Sequence, residues 1–181
     1  MTLTPKGEAR RDALLDAVLR VLERDGAGGV THRSVAKEAG VPVAAATYYF
    51  ASLDELYVSA LRRATQEQVE LFASLRGGDL RRFAEVLHDW VYLDRGAAIA
   101  QYELMFLAMR RDALREDAAL WYRSLELAID PGSEHPDRTR VAALAIDGLM
   151  LRMLWLADPE TVDGVEGTLR RILTSAGTSA S

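Results

Sequence analysis

GVTHRSVAKEAGVPVAAATYYFASLDEL, residues 29–56, reads as two short helices joined by a glycine corner and followed at once by a capped third. Thr31 is placed to cap the first short helix, and Val35, Ala36 and Ala39 set small apolar groups along one side of it. Gly40 then permits a left-handed corner that residues with a Cβ resist. Pro42 suits a helix start, Val43, Ala46 and Phe50 give the second helix an inward face, and Thr47 and Tyr48 fall elsewhere on its surface. Ser52 with Glu55 three residues on forms a capping box that opens a longer helix to about Leu75. Two short helices around such a corner make a helix-turn-helix, whose second helix is sized for the major groove of B-form DNA.

The order Ala39-Gly40-Val41, then Tyr48-Tyr49-Phe50, then Ser52 ahead of Asp54-Glu55-Leu56, resembles the signature of the TetR (tetracycline repressor) family of one-component bacterial regulators. The motif occupies roughly the first third of the chain; the rest is similar only in kind, as a long all-helical segment. The resemblance implies an all-α protein of about nine helices, with a three-helix DNA-binding head over residues 1–50 and a larger ligand-binding and dimerisation body over 51–181. It also implies DNA contacts from Thr31, His32 and Arg33 and from Val43, Ala44, Ala45, Thr47, Tyr48 and Tyr49. Two positions depart from the family pattern. Thr47 stands where Tyr is usual, and Leu53 where a phosphate-gripping Lys is usual, so the electrostatic hold on DNA is weaker.

The charge balance agrees with such a division. The chain of 181 residues has net charge −5, yet residues 1–50 carry seven Lys/Arg against six Asp/Glu, a balance of +1, and residues 51–181 carry fifteen against twenty-one, a balance of −6. Only the head tolerates phosphate, and with so small a surplus its affinity must rest on a few placed cations. Lys6, Arg10 and Arg11 form either a backbone-contacting arm or an ordinary solvated helix start. Without cysteine there is no disulfide framework and no thiolate metal site. A charged N-terminus and no apolar run of membrane-spanning length predict a cytoplasmic protein that does not enter a membrane.

Helical stripes run the length of the chain. A first helix is predicted from about Gly7 to Arg24, ended by a glycine-rich run, and the helix from Ser52 by the Gly77-Gly78 pair. Asp79 caps a helix carrying Phe83 and Trp90; others run after Gly96 to about Arg111 and from Leu114 to Ile129, before a loop with Pro131 and Pro136 at its ends. Residues 141–157, VAALAIDGLMLRMLWLA, hold only Asp147 and Arg152 as charges, so this helix needs cover on both sides, and a second copy of the chain supplies it most simply. A final helix is predicted to start at Asp158-Pro159 and to end in the SAGTSAS tail. These two helices predict a four-helix homodimer interface using Gly148, Leu151, Trp155, Gly164, Gly167 and Ile172.

Phe83, Trp90, Tyr102, Met105, Phe106, Met109, Trp121, Met150 and Met153 are candidates to line a cavity for a small, largely apolar effector, and equally read as ordinary core. His88, Tyr102 and Glu103 are candidate polar fixtures. Catalytic patterns fail for want of companions: Glu85 and His88 have the spacing of half a di-iron site, and Ser34 and Lys37 that of an acyl-enzyme pair inside the head. No cofactor and no metal is expected. The expectation is a repressor released by an effector from a palindromic double-stranded operator. The alternatives are a DNA-binding dimer without an effector, or a helical ligand carrier or enzyme with an incidental head.

Overall fold

The computed structural model describes residues 4–76, 79–132, 134–156 and 159–177. Among these residues the secondary structure is helical throughout, without a strand. The order is α1 (Pro5–Asp25), α2 (His32–Glu38), α3 (Val43–Tyr49), α4 (Leu53–Ser74), α5 (Leu80–Tyr92), α6 (Arg95–Ala108), α7 (Arg115–Ile129), α8 (Pro136–Trp155) and α9 (Val162–Ala176), with 3-10 turns at Ala27–Gly29 and Asp112–Leu114.

Side-chain caps set most of the starts. Thr4 Oγ1 accepts from the Gly7 N–H at 3.2 Å and Pro5 fits the first turn, which starts α1 two residues before the apolar stripe alone suggests. Ser52 caps α4 through the Glu55 N–H at 3.0 Å, and the Glu55 carboxylate accepts from the Ala51 N–H at 2.8 Å. Asp79 caps α5 through the Arg82 N–H at 2.6 Å. Pro136, which reads as the far edge of a break, is instead the first residue of α8: the Asp130 carboxylate accepts from the His135 N–H and the Thr139 hydroxyl and closes the loop onto the helix. α9 begins after Thr161, later than Pro159 suggests, because Thr161 Oγ1 receives the Gly164 N–H. It runs through Ala176 to Gly177. Gly77, Gly78, Asp158 and residues 178–181, on which helix ends were placed, lie outside the described residues.

α4 is the organising element: it lies against α7, α6 and α1, while α5 pairs with α9, and α8 with α7 and α9. One continuous apolar core runs from Leu14 and Val18 of α1 through Leu61 and Phe72 of α4 to Val165 and Leu169 of α9. Head and body are therefore joined by packing as well as by chain. Arg63 of α4 pairs with Asp16 and, at 3.8 Å, with Asp12 of α1. A Cβ at Gly96 of α6 meets the Leu19 carbonyl oxygen of α1 at 3.0 Å, so the two backbones lie close enough that a larger residue there has to push them apart. Among the described residues no helix is long and apolar enough to cross a membrane.

Candidate nucleic-acid interface and body cavity

The corner of the helix-turn-helix forms as its residues dictate. Gly40 has φ +67°, and the Val41 N–H reaches the Ala36 carbonyl at 3.0 Å to close the end of α2. Thr31 caps α2 reciprocally with Ser34, and the Ser34 hydroxyl also donates to the Gly29 carbonyl at 2.7 Å, a purely local use of that serine. In α3, Ala46 is the buried anchor and Phe50 is buried at its end. Val43, expected on the inward face, is instead exposed, at the first position of α3 and three residues ahead of the buried Ala46.

The outward surface of this unit is specific. Thr31, Arg33, Val43, Ala44, Thr47 and Tyr48 are exposed, Tyr48 to 66%, while His32, Ala45 and Tyr49 are half-buried. The Tyr48 and Tyr49 rings meet edge to face at 5.1 Å, which fixes the pair. Thr47 Oγ1 bonds back to the Ala44 carbonyl at 3.2 Å. Pairing sorts the head's cations. Arg20 and Arg24 both grip Glu38, at 2.8 and 2.9 Å, and hold its carboxyl below the usual range, Arg24 first. Arg11 lies over the Phe50 ring at 5.3 Å. Among the described residues, Lys6, Arg10, Arg33 and Lys37 are exposed and have no acidic partner within ion-pair distance. Lys37 follows Arg33 by one helical turn on α2, a spacing legible in the sequence.

The body holds a cavity of about 330 Å³ bounded by α4, α5 and the start of α6. Its walls include Ala64, Gln68, Val86 and Trp90, with Glu67, Asp89 and Asp94 at its mouth. Of the sequence candidates only Trp90 lines it. Phe83, Tyr102, Trp121, Met150 and Met153 are buried in the core, Met105 is half-buried, and Phe106 and Met109 are exposed, to 52 and 72%. Trp90 belongs to an aromatic cluster in which Phe72 meets Phe83 and Trp121, and Trp121 meets Trp90, at centroid distances of 5.7 to 6.5 Å. Gln68, Glu67, Asp89 and Asp94 line the cavity in place of the polar candidates His88, Tyr102 and Glu103, which do not line it. Gln68 had a signal, being a polar residue four positions from both Ala64 and Phe72 on the inward stripe of α4.

The charge inside α8 has its own explanation. The Tyr102 hydroxyl donates to Asp147 at 3.0 Å and the Tyr122 hydroxyl at 2.6 Å, so the carboxylate is satisfied within the body. Burial, reinforced by that carboxylate, pushes both phenols above their usual range and keeps them donors. Glu103 accepts from the Tyr57 hydroxyl at 3.1 Å, and His88 lies against the Tyr92 ring and Asp89.

Val141, Leu144, Leu151 and Trp155 are exposed on α8, Trp155 to 71%, and Gly148 sits among them with nothing of its own chain near its Cα face. On α9, Gly164, Gly167 and Ile172 are half-buried.

Residues 14–60 match the profile described as bacterial regulatory proteins, tetR family, and residues 78–175 that described as tetracyclin repressor-like, C-terminal domain. The nicotine-responsive transcriptional repressor HdnoR of Paenarthrobacter nicotinovorans is 33% identical over 107 residues, covering 56% of this chain and 55% of that protein, so the match spans about half of the relative's length. The solved structure of a TetR-family member from Streptomyces coelicolor A3 superposes with a TM-score of 0.73 at 34% identity, covering 90% of this chain and 97% of the other. The multidrug binding protein EbrR in complex with ethidium does so with a TM-score of 0.67 at 34% identity, again over 90 and 97%.

Proposed function

The chain belongs to the TetR family of DNA-binding regulators, and from that premise we propose that it is a cytoplasmic, homodimeric repressor released from a palindromic operator by a small organic effector. Residues 1–50 read DNA; residues 51–181 dimerise and hold the effector. The observation that carries this reading is the selective pairing in the head. Glu38 occupies Arg20 and Arg24, whereas Arg33 and Lys37 stand exposed on α2 beside an outward α3 face of Val43, Ala44, Thr47 and Tyr48.

Arg33 reaches a guanine edge or a phosphate, Lys37 a phosphate, and Thr31, His32, Tyr48 and Tyr49 the flanking backbone. Val43, Ala44 and Ala45 offer only methyl contacts to thymine, and Thr47 already bonds its own helix. So spare a set of hydrogen bonds leaves much of the sequence preference to DNA shape. The effector reading is supported by the body cavity and by what the similar proteins bind: HdnoR is described as nicotine-responsive, and EbrR is crystallised with ethidium. The dimer reading is supported by the exposed apolar face of α8 at Leu151 and Trp155 around Gly148, beside which Gly164, Gly167 and Ile172 of α9 complete the proposed interface.

A dimer places two α3 helices about 34 Å apart on one side of the duplex, and an effector that binds better to a differently spaced state lowers operator affinity. Selecting bound genomic fragments gives the operator on which the reading is tested by gel shift. Arg33→Ala is expected to weaken binding about tenfold or more and to relax base preference at one position per half-site. Lys37→Ala is expected to weaken all sequences alike and to flatten the salt dependence by about one unit of slope per protomer. Unchanged affinity and preference in Arg33→Ala would exclude this mode of reading.

A further inference from the structure

The mouth of the body cavity carries more negative charge than the protein neutralises. Glu67, Asp89 and Asp94 stand there against a single guanidinium, Arg82, which already lies 3.4 Å from Glu85. Asp89 has only the His88 ring, at 3.1 Å, and among the described residues Asp94 has no ion-pair partner. Glu67 lies 3.3 Å from Arg63, but Arg63 also serves Asp12 and Asp16, so one cation is divided among three carboxylates. Partial desolvation against the cavity rim raises the carboxyls of Glu67 and Asp94 above the usual range although both residues reach solvent, and Asp16 adds repulsion to both.

The wall supplies a second, independent sign. Gln68 lines the cavity, is only 3% exposed, and its Nε2 has no hydrogen-bond partner. A buried amide donor without a partner is costly, and turning the Gln68 amide toward an acceptor bound in the cavity recovers that cost. Trp90, also on the wall, offers the aromatic surface that attracts cations most strongly. A hydrocarbon leaves the carboxylates and the amide unanswered, and an anion is repelled at the mouth.

We infer that this cavity takes an organic cation, with its positive nitrogen at the Glu67 and Asp94 rim, a flat apolar part against Trp90 and a hydrogen-bond acceptor for Gln68. The inference rests on reading the cavity as the effector site, and it replaces a largely apolar effector with a charged one.

The test compares (pyridin-3-ylmethyl)trimethylammonium with 3-neopentylpyridine at pH 8, by calorimetric titration of the full chain. The two share shape and ring nitrogen and differ in charge. The cation is expected to bind at least about tenfold more tightly. Glu67→Gln and Asp94→Asn, both at exposed positions, are expected to erase that advantage while leaving the neutral compound unchanged, and Gln68→Met to weaken both compounds alike. Equal or tighter binding of the neutral compound, a charge preference untouched by either rim substitution, or no binding of the cation at millimolar concentration overturns the inference. Operator affinity measured alongside separates the two readings. Rim-dependent cation binding that leaves operator affinity unchanged upholds the ligand class and defeats the effector role. Operator release by the neutral compound alone upholds the effector role and defeats the ligand class.

Discussion

Single side chains here are decided by partners far away in sequence. Glu38 is one of six carboxylates in the head, and nothing in its neighbourhood announces that it binds Arg20 and Arg24, eighteen and fourteen residues earlier. That pairing leaves Arg33 and Lys37 as the unpaired cations of α2, so the candidate set is only half legible: residue types and helical spacing name the candidates, and tertiary pairing removes some. The same pairing predicts an acid dependence. Arg24, then Arg20, hold the Glu38 carboxyl below its ordinary range, so the contribution to stability is present above about pH 4.3, the unfolded-state value, and is lost as pH falls through the lower folded value. Glu38→Gln is therefore expected to lower the melting temperature at pH 7. The gap between variant and parent is expected to narrow on acidification below pH about 4, measured by scanning calorimetry. A gap that stays constant or widens in acid contradicts the pairing.

Helices were easier to read than sites, because each carries its own start and face. Thr31, Ser52 and Asp79 act as the caps their positions suggest, and the apolar stripes of α1, α4 and α5 are the buried ones. Pro136 and Thr161 moved two starts, since a proline that ends a loop also opens a helix and a threonine cap overrides the residues before it. Beyond local patterns lies the contact between elements. The sequence marks Gly96 only as a helix opener, yet it sets how closely α6 approaches α1: a Cβ there falls 3.0 Å from the Leu19 carbonyl oxygen and 3.3 Å from its carbon, both backbone atoms that cannot swing aside. Gly96→Val is expected to cost about 2 kcal/mol, read as a lower urea midpoint with an unchanged m-value. Parent-like stability places no close contact at this joint. The aromatic candidates illustrate the opposite failure. Met105, Phe106 and Met109 share the helical spacing of a wall, but the end of α6 leaves Phe106 and Met109 in solvent, and periodicity cannot say which stripe faces a cavity.

At the level of the whole molecule, α4 links the cavity to the head. Arg63 answers Glu67 on one side and Asp12 and Asp16 of α1 on the other, so a cation at Glu67 displaces Arg63 from that carboxylate and shifts it toward the two on α1. A head that shifts in one protomer changes operator affinity only if a second head is held at a fixed distance, and that requirement falls on α8. Its exposed apolar residues are Val141, Leu144, Leu151 and Trp155, with Gly148 between them, a spacing of three, four, three and four residues. Such a row is a coiled-coil seam, and glycine at its centre allows a second helix to approach closely. The opposite face, with Ala142, Ile146, Leu149, Met150 and Met153, is already buried in the protomer. The sequence shows a helix apolar nearly all round; only the packing separates the face used within the chain from the face left exposed. Leu151→Glu with Leu144→Glu places two carboxylates in that seam without touching the protomer core, so the folded monomer is expected to persist with its helical content unchanged. Sedimentation is expected to move from dimer to monomer at micromolar concentration. Operator affinity is expected to fall by orders of magnitude toward that of one half-site, because two heads on one body bind at the effective concentration their spacing sets. A double variant that sediments as a dimer and holds the operator normally would place the interface elsewhere.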